Sequence, residues 1–196
     1  MTKKSSIDLG LTEKEKKILL HVAMETIQSK LENEPLPDYD YDNEIFKSNR
    51  GAFVTLHIEG RLRGCIGYII GVAPLLDTIQ KMAIAAGFED PRFPPLIKDE
   101  FEQLNIEISV LTPLEVVNNI DEIKVGRDGI IIKRGFRQGL LLPQVPEEQG
   151  WDKKTFLEHT CLKAGLPTNS WKMKDTVITK FSAQIFDANV REMISA

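Results

Sequence analysis

The stretch from Gly51 to Gly67, GAFVTLHIEGRLRGCIG, constrains the fold of this chain more than any other. Residues 52 to 59 alternate strictly, with Ala52, Val54, Leu56 and Ile58 on one face and Phe53, Thr55, His57 and Glu59 on the other. A period of two is that of a half-buried strand. Past Gly60 the even positions Leu62, Ile66 and Tyr68 are again apolar, with Arg63 and Cys65 opposite. A one-residue slip would turn every side chain over, so even residues must pair with even ones. The simplest register sets Ile58 opposite Leu62 across a three-residue loop, Glu59-Gly60-Arg61, with Gly60 supplying the left-handed dihedral. His57 then faces Arg63, Thr55 faces Cys65 and Phe53 faces Gly67. Thr55, His57, Arg63 and Cys65 thus share one face, and Gly64 and Gly67 leave room beside the thiol for a ligand or another backbone.

That face is the first candidate site. A thiolate is the reactive form of cysteine, and a cation lowers its pKa. Arg63 stands two residues from Cys65, and His57 lies diagonal to it across the pair, which allows a nucleophile-and-base arrangement. Three readings of Cys65 stay open: catalytic nucleophile, ligand contact without chemistry, or buried structural thiol. Arginine is the second signal. Arg50, Arg61, Arg63 and Arg92 come from segments that a hairpin, helix and strand could gather, and forked guanidiniums suit phosphate or carboxylate. Arg92 sits in FEDPRFPPL (88–96), where three prolines stiffen the loop. It either lines an anion site or is bonded to neighbouring carbonyls or to Asp90. Arg127, Lys133, Arg134 and Arg137 form a second basic group, which reads first as a solvated face.

The whole chain narrows the classes. Its 196 residues suit a single domain over 1–196, or two closely packed halves, and bury roughly 70% of the unfolded surface. A net charge of −4 argues against membrane association and against bulk nucleic-acid binding, while leaving room for a local basic patch. The most apolar run, Tyr68 to Leu76, is too short to span a bilayer, and nothing resembles a signal peptide. Two separate cysteines in such a chain read as reduced thiols of a cytoplasmic protein. No CxxC, HxxxH or phosphate-cradling glycine loop occurs, so neither metal nor cofactor is implied. Asp38, Asp40 and Asp42 have calcium-loop spacing, but Asn43 and Asn49 stand where Gly and Glu are required, which leaves an acidic linker over 32 to 44.

In chain order, residues 1 to 10 form a loose lead-in. Thr12 and Glu15 make a capping box for a helix whose stripe is Ile18, Leu19, Val22, Ala23, Thr26, Ile27 and Leu31. Pro74 opens a second helix, with Leu75, Leu76, Ile79, Met82, Ala83 and Ala86 on one face and Gly87 at its end. A strand follows over Leu104 to Leu111. Then Gly129 to Lys133 and Leu140 to Leu142 pair around the loop Arg134 to Gly139. Asp152 caps a helix bearing Phe156, Leu157, Thr160, Cys161 and Ala164, Gly165 ends it, and Val177 to Phe186 closes as a strand. Cys161 reads as core and His159 as solvent-exposed. Strand, strand, helix, strand therefore occurs twice, over roughly 52–111 and 129–187, which predicts an internal duplication. Aligning Arg63-Gly64-Cys65-Ile66 with Gln138-Gly139-Leu140-Leu141 puts a leucine where Cys65 stands.

LRGCIG (62–67) closely resembles the hallmark motif of the AMMECR family, named for a human chromosomal region linked to Alport syndrome with midface hypoplasia and elliptocytosis. The resemblance continues through DPRFPPL (90–96), EISVLTPLE (107–115), VGRDGI (125–130), LLPQV (141–145), EQGWD (148–152) and KAGLP (163–167). It implies an α+β fold of mainly antiparallel sheet, with two unequal, intertwined subdomains and a cleft between them. It maps the motif onto Arg63, Gly64, Cys65, Gly67, Asp90, Arg92 and Phe93, with Trp151 from the second half; His57 falls outside it. Memo-type and radical-SAM proteins are the partners it implies, and it implies no reaction. Two functions follow. One is a cleft for a small anionic ligand, such as a nucleotide or modified base, bound by Arg63, Gly64, Gly67, Asp90, Arg92, Phe93, Thr55 and His57, with Cys65 as candidate nucleophile of an enzyme or enzyme partner. The other is a non-catalytic interaction module in which LRGCIG is a structural hairpin.

Overall fold

The computed structural model describes residues 10–195, so nearly all of the expected N-terminal lead-in lies outside the described residues. In chain order the elements used below are helices α1 (Glu13–Glu32) and α2 (Glu44–Lys47), strands β1 (Ala52–Ile58) and β2 (Arg61–Tyr68), helix α3 (Leu75–Ile84), and strands β3 (Leu104–Leu111) and β4 (Glu115–Val116). Strands β5 (Asp128–Arg134) and β6 (Arg137–Leu141), helices α4 (Gln144–Glu148) and α5 (Lys153–Lys163), strand β7 (Val177–Asn189) and helix α6 (Val190–Ile194) complete the set. This is an α+β chain with antiparallel pairing throughout the paired strands described here. It divides into two compact units, residues 10–111 with 184–195 and residues 112–183. One unit is thus built from two chain segments that flank the other in sequence, and β7 contributes residues to both.

In the larger unit β1 lies between β2 and β3. The even face of β1 is apolar as expected. Ala52, Val54 and Leu56 are fully buried, in one core with Leu19, Val22, Ala23 and Ile27 of α1 and Leu75, Ile79, Met82 and Ala83 of α3. Each such Leu, Ile or Met contributes about 1.5–3 kcal/mol by leaving water. The capping box of α1 is present, with Thr12 Oγ1 accepting from Glu15 N and Glu15 Oε2 accepting from Thr12 N. Two expectations for α3 need correction. Pro74 is the residue before its first turn, and Gly87 does not end it. The chain winds on through a π-turn, Ala85–Glu89, and leaves at Asp90. Gly87 lies inside that turn, with Leu96 Cδ1 2.8 Å from where a Cβ would be.

In the smaller unit β5 lies between β6 and β7, and β4 pairs with β7. Phe156, Leu157 and Cys161 of α5 are fully buried against Ile130 and Ile132 of β5. Asp152 caps α5 by accepting from Thr155 N at 2.7 Å. The expected loop Arg134 to Gly139 is shorter: β5 reaches Arg134, β6 starts at Arg137, and the turn is Gly135 and Phe136 alone. Each unit therefore contains a hairpin, a helix and a third strand antiparallel to the first hairpin strand. A glycine recurs at the same place in both. Gly64, opposite Leu56, sits where a Cβ would be 2.0 Å from the carbonyl oxygen of Ala86. Gly139, opposite Ile132, sits where a Cβ would be 2.3 Å from the backbone nitrogen of Ala164. In each case the end of the following helix rests directly on the strand. These correspondences are of order and packing, and duplication stays a proposal.

Candidate functional site

The hairpin that carries the motif closes differently from the simplest register. Phe53↔Gly67 and Thr55↔Cys65 pair as expected, but His57 faces Leu62 and Ile58 faces Arg61. The turn has two residues, Glu59 and Gly60, both left-handed, with φ of 50° and 74°. Paired left-handed residues match the twist of the flanking strands, whereas a three-residue loop must correct it. The residue saved at the turn reappears as a β-bulge between Leu56 and His57, where Leu62 and Arg63 together oppose His57. His57 is not opposite Arg63, and the four-residue face drawn from strict alternation is broken at the bulge. Among the described residues His57 makes no hydrogen bond or ion pair with Cys65.

The bulge delivers Arg63 to Glu100. Arg63 Nε and Nη2 donate to the two carboxylate oxygens at 2.7 and 3.0 Å, and Nη2 also reaches Pro95 O at 3.4 Å. The arginine side chain is 12% exposed. The guanidinium holds the Glu100 carboxyl below its ordinary range. Arg63 Nη1 is buried without a partner among the described residues. Arg92 is committed likewise. Its Nε and Nη2 donate to Asp90 Oδ1 and Oδ2 at 2.9 and 2.7 Å. The Arg92 fork and two backbone N–H groups, of Cys65 and of Arg92 itself, hold the Asp90 carboxyl well below the usual carboxylate range despite its burial.

Asp90 and Arg92 have a second role at the sheet edge. β2 pairs with β1 on one side and stands at the end of the strand order. On its other side Cys65 N donates to Asp90 Oδ2 at 2.9 Å, and Arg92 Nη2 donates to Cys65 O at 3.1 Å. A carboxylate and a guanidinium thus take the places of a neighbouring strand's C=O and N–H. Edge strands need such cover because unpaired backbone groups recruit other chains. Two residues on, Gly67 turns its own N–H and C=O to that same side. Arg92 also lies over the Phe93 ring, 5.4 Å from its centroid. Glycine at 67 is required by Phe53, whose ring carbons lie 2.2 Å from where a Cβ would be.

Cys65 is half-buried, whereas Cys161 is fully buried and its pKa is pushed up by desolvation. Thr55 Oγ1 donates to Cys65 Sγ at 3.2 Å. Register places Glu107 on the far side of Thr55, giving a polar row Cys65, Thr55, Glu107 across β2, β1 and β3, with Thr55 and Glu107 buried. A hollow of about 420 Å³ opens beside the motif strand, lined by Ile66 and Tyr68 of β2, Met82 of α3, Ala85 of the π-turn, and Lys81 and Glu89. Of the other expected arginines, Arg50 donates to Ser48 Oγ at 3.2 Å and Arg61 is exposed at the turn. In the smaller unit Arg127 forks onto buried Asp128, which also accepts from Lys124 N and Ser182 Oγ. Trp151 stacks on exposed His159 at 4.0 Å. Sequence reasoning missed Glu100 and Glu107. Glu107 was legible as the one acid on the polar face of an alternating strand, between Asn105 and Ser109; Glu100 carried no signal, since nothing local ties it to a residue 37 positions away.

The family model described as AMMECR1 matches residues 20–186. A protein of Methanothermobacter thermautotrophicus is 45% identical over 185 residues, covering 90% of this chain and 95% of its own. One from Methanocaldococcus jannaschii is 46% identical over 152 residues, 74% of this chain and 76% of that one. The crystal structure of uncharacterised protein PH0010 from Pyrococcus horikoshii superposes with a TM-score of 0.76 at 41% identity, covering 87% of this chain and 90% of that chain.

Proposed function

This chain belongs to the AMMECR1 family, and from that premise we propose that it is a binding module whose LRGCIG hairpin is a structural keystone bordering a docking edge for an extended polypeptide segment. One observation carries the reading: Asp90 and Arg92 supply the missing strand partner at Cys65 and stop there, leaving Gly67 beyond them. Both motif guanidiniums are neutralised by their own carboxylates, which weakens the case for a small free anion. Gly64 and Gly67 are spent on Ala86 and Phe53, which accounts for them without a ligand. A segment added along β2 would bond Gly67 through its backbone and set an apolar side chain into the hollow of Ile66, Tyr68, Met82 and Ala85. Memo-type and radical-SAM proteins, implied by the family resemblance, are the partners to try first.

A random-peptide library selected on the full chain tests this. Selected peptides are expected to protect the Gly67 amide from hydrogen exchange and to lose binding to Met82→Glu. Protection elsewhere, or indifference to Met82→Glu, overturns the reading. The small-ligand reading is favoured by two facts, the half-buried Cys65 thiol and an Arg92 side chain that is 53% exposed. It is supported if a metabolite thermal-shift screen yields a compound whose effect vanishes in both Cys65→Ser and Arg92→Ala.

A further inference from the structure

The turn between β5 and β6 carries the most exposed hydrophobic side chain among the described residues. Phe136 is fully exposed, at 107%. It stands in the second of only two turn residues, between Gly135 and Arg137, so nothing of its own hairpin can cover it. A single exposed apolar side chain is ordinary, so what matters is whether the residues around Phe136 form a patch of one character.

Its surroundings share one character. Lys133 pairs in register with Val177 at the start of β7, and Val177 is 48% exposed. The turn before β7 is closed by Thr176 N donating to Met173 O, and Met173 is 42% exposed. Arg134 Nε donates to Asp175 Oδ2 at 2.8 Å, which ties this turn to the hairpin. Arg137 Nη1 donates to Gly165 O, which lays its side chain along the end of α5. Lys172 and Lys174, from the same turn as Met173, are exposed. This end of the unit therefore sets Lys133, Arg134, Arg137, Lys172 and Lys174 against a single carboxylate, Asp175. A chain of net charge −4 concentrates the opposite sign around three exposed apolar side chains.

We propose that this hairpin tip docks on an anionic lipid surface, with Phe136, Met173 and Val177 entering the headgroup boundary and the surrounding cations meeting lipid phosphates and carboxylates. Charge complementarity selects an acidic surface, and the kind of apolar group selects lipid. A bilayer interface accepts aromatic, aliphatic and basic side chains together. Nucleic acid asks instead for stacking faces. Met173 and Val177 have none, and the nearby Trp171 ring is covered by the Lys172 ammonium, 4.9 Å from its centroid. No helix among the described residues is long and apolar enough to cross a membrane, so the contact is a surface one.

The test is co-sedimentation of the full chain with vesicles of phosphatidylcholine, alone or with about 30% phosphatidylserine. Binding to the anionic vesicles only, reversed by added salt, is expected. Phe136→Ser weakens it about tenfold, and Lys133→Gln with Lys174→Gln about 30-fold. These side chains are exposed, so circular dichroism of the variants stays that of the wild type. The proposal is overturned if the wild type leaves anionic vesicles in the supernatant, if neutral vesicles bind as well, or if Phe136→Ser binds unchanged. It is equally overturned if a single-stranded oligonucleotide binds tightly, the vesicles do not, and Phe136→Ser abolishes that binding.

Discussion

Asp90 accepts four hydrogen bonds, from the backbone nitrogens of Cys65 and Arg92 and from two nitrogens of the Arg92 guanidinium. Replacing it with Asn leaves the fork of Arg92 without its charge partner and exchanges one acceptor oxygen for a donor. Asp90→Asn is expected to lower stability by about 2–3 kcal/mol, read as a shift in the urea midpoint. Gly64 is the other residue on which the motif turns. A methyl group there would overlap the Ala86 carbonyl, which is backbone and cannot swing away. Gly64→Ala is expected to cost about 3 kcal/mol, and Gly67→Ala, which meets the Phe53 ring and the Ala52 carbonyl oxygen at 2.6 Å, is expected to destabilise as well. Cys65→Ser keeps the fold, since Thr55 retains a hydrogen-bonding partner. Iodoacetamide modifies Cys65 before Cys161, which is buried in the core; equal rates would show that the motif strand is not accessible at the thiol.

At the scale of elements, the two hairpins solve the same closure problem with two-residue turns but different residues. The first places Glu59 at φ 50°, a left-handed conformation in which its Cβ crowds the following carbonyl oxygen. Asn or Gly is the residue such a turn prefers, so Glu59→Asn is expected to raise stability by about 0.5–1 kcal/mol, measured by thermal unfolding. The strand alternation, the helix stripes and the N-terminal caps of α1 and α5 were readable in the sequence, because each depends on spacings of two to four residues; the pairing parity beside the turn and both ends of α3 were not. Nor was the bulge at Arg63. It follows from the turn choosing two residues over three, which sets His57 against Leu62 and Ile58 against Arg61, pairings that the apolar alternation argued against. The π-turn after α3 was equally hidden: a glycine near a helix end reads as its stop, yet the chain winds on past Gly87 to Glu89.

For the whole molecule, the acid response follows from carboxyls in both units. Asp90 and Glu100 in one unit and Asp128 in the other are all held below their ordinary values. The Arg92 fork does this for Asp90 and the Arg63 fork for Glu100; for Asp128 the bonds from Arg127, Lys124 N and Ser182 outweigh a desolvation that acts upward. A carboxyl whose folded pKa is depressed binds its proton more readily when unfolded. Its stabilisation is therefore full above the unfolded value, about 4, and is lost as pH falls through the folded one. The urea midpoint is expected to drop between about pH 5 and about pH 2, and to drop less in Asp90→Asn. A midpoint level across that range would mean these ion pairs persist in the unfolded chain.

The amino-acid order alone determined the family, the α+β class, the hairpin's apolar face, the capped helices and the burial of Cys161, since periodicity and motif spacing are local and survive without coordinates. Tertiary structure decided what becomes of the charges. Arg63 finds Glu100, and Cys65 finds Asp90 and Arg92, across 37, 25 and 27 residues of chain. A guanidinium can reach any carboxylate that folding brings within about 3 Å, and no pattern along the chain says which one that is.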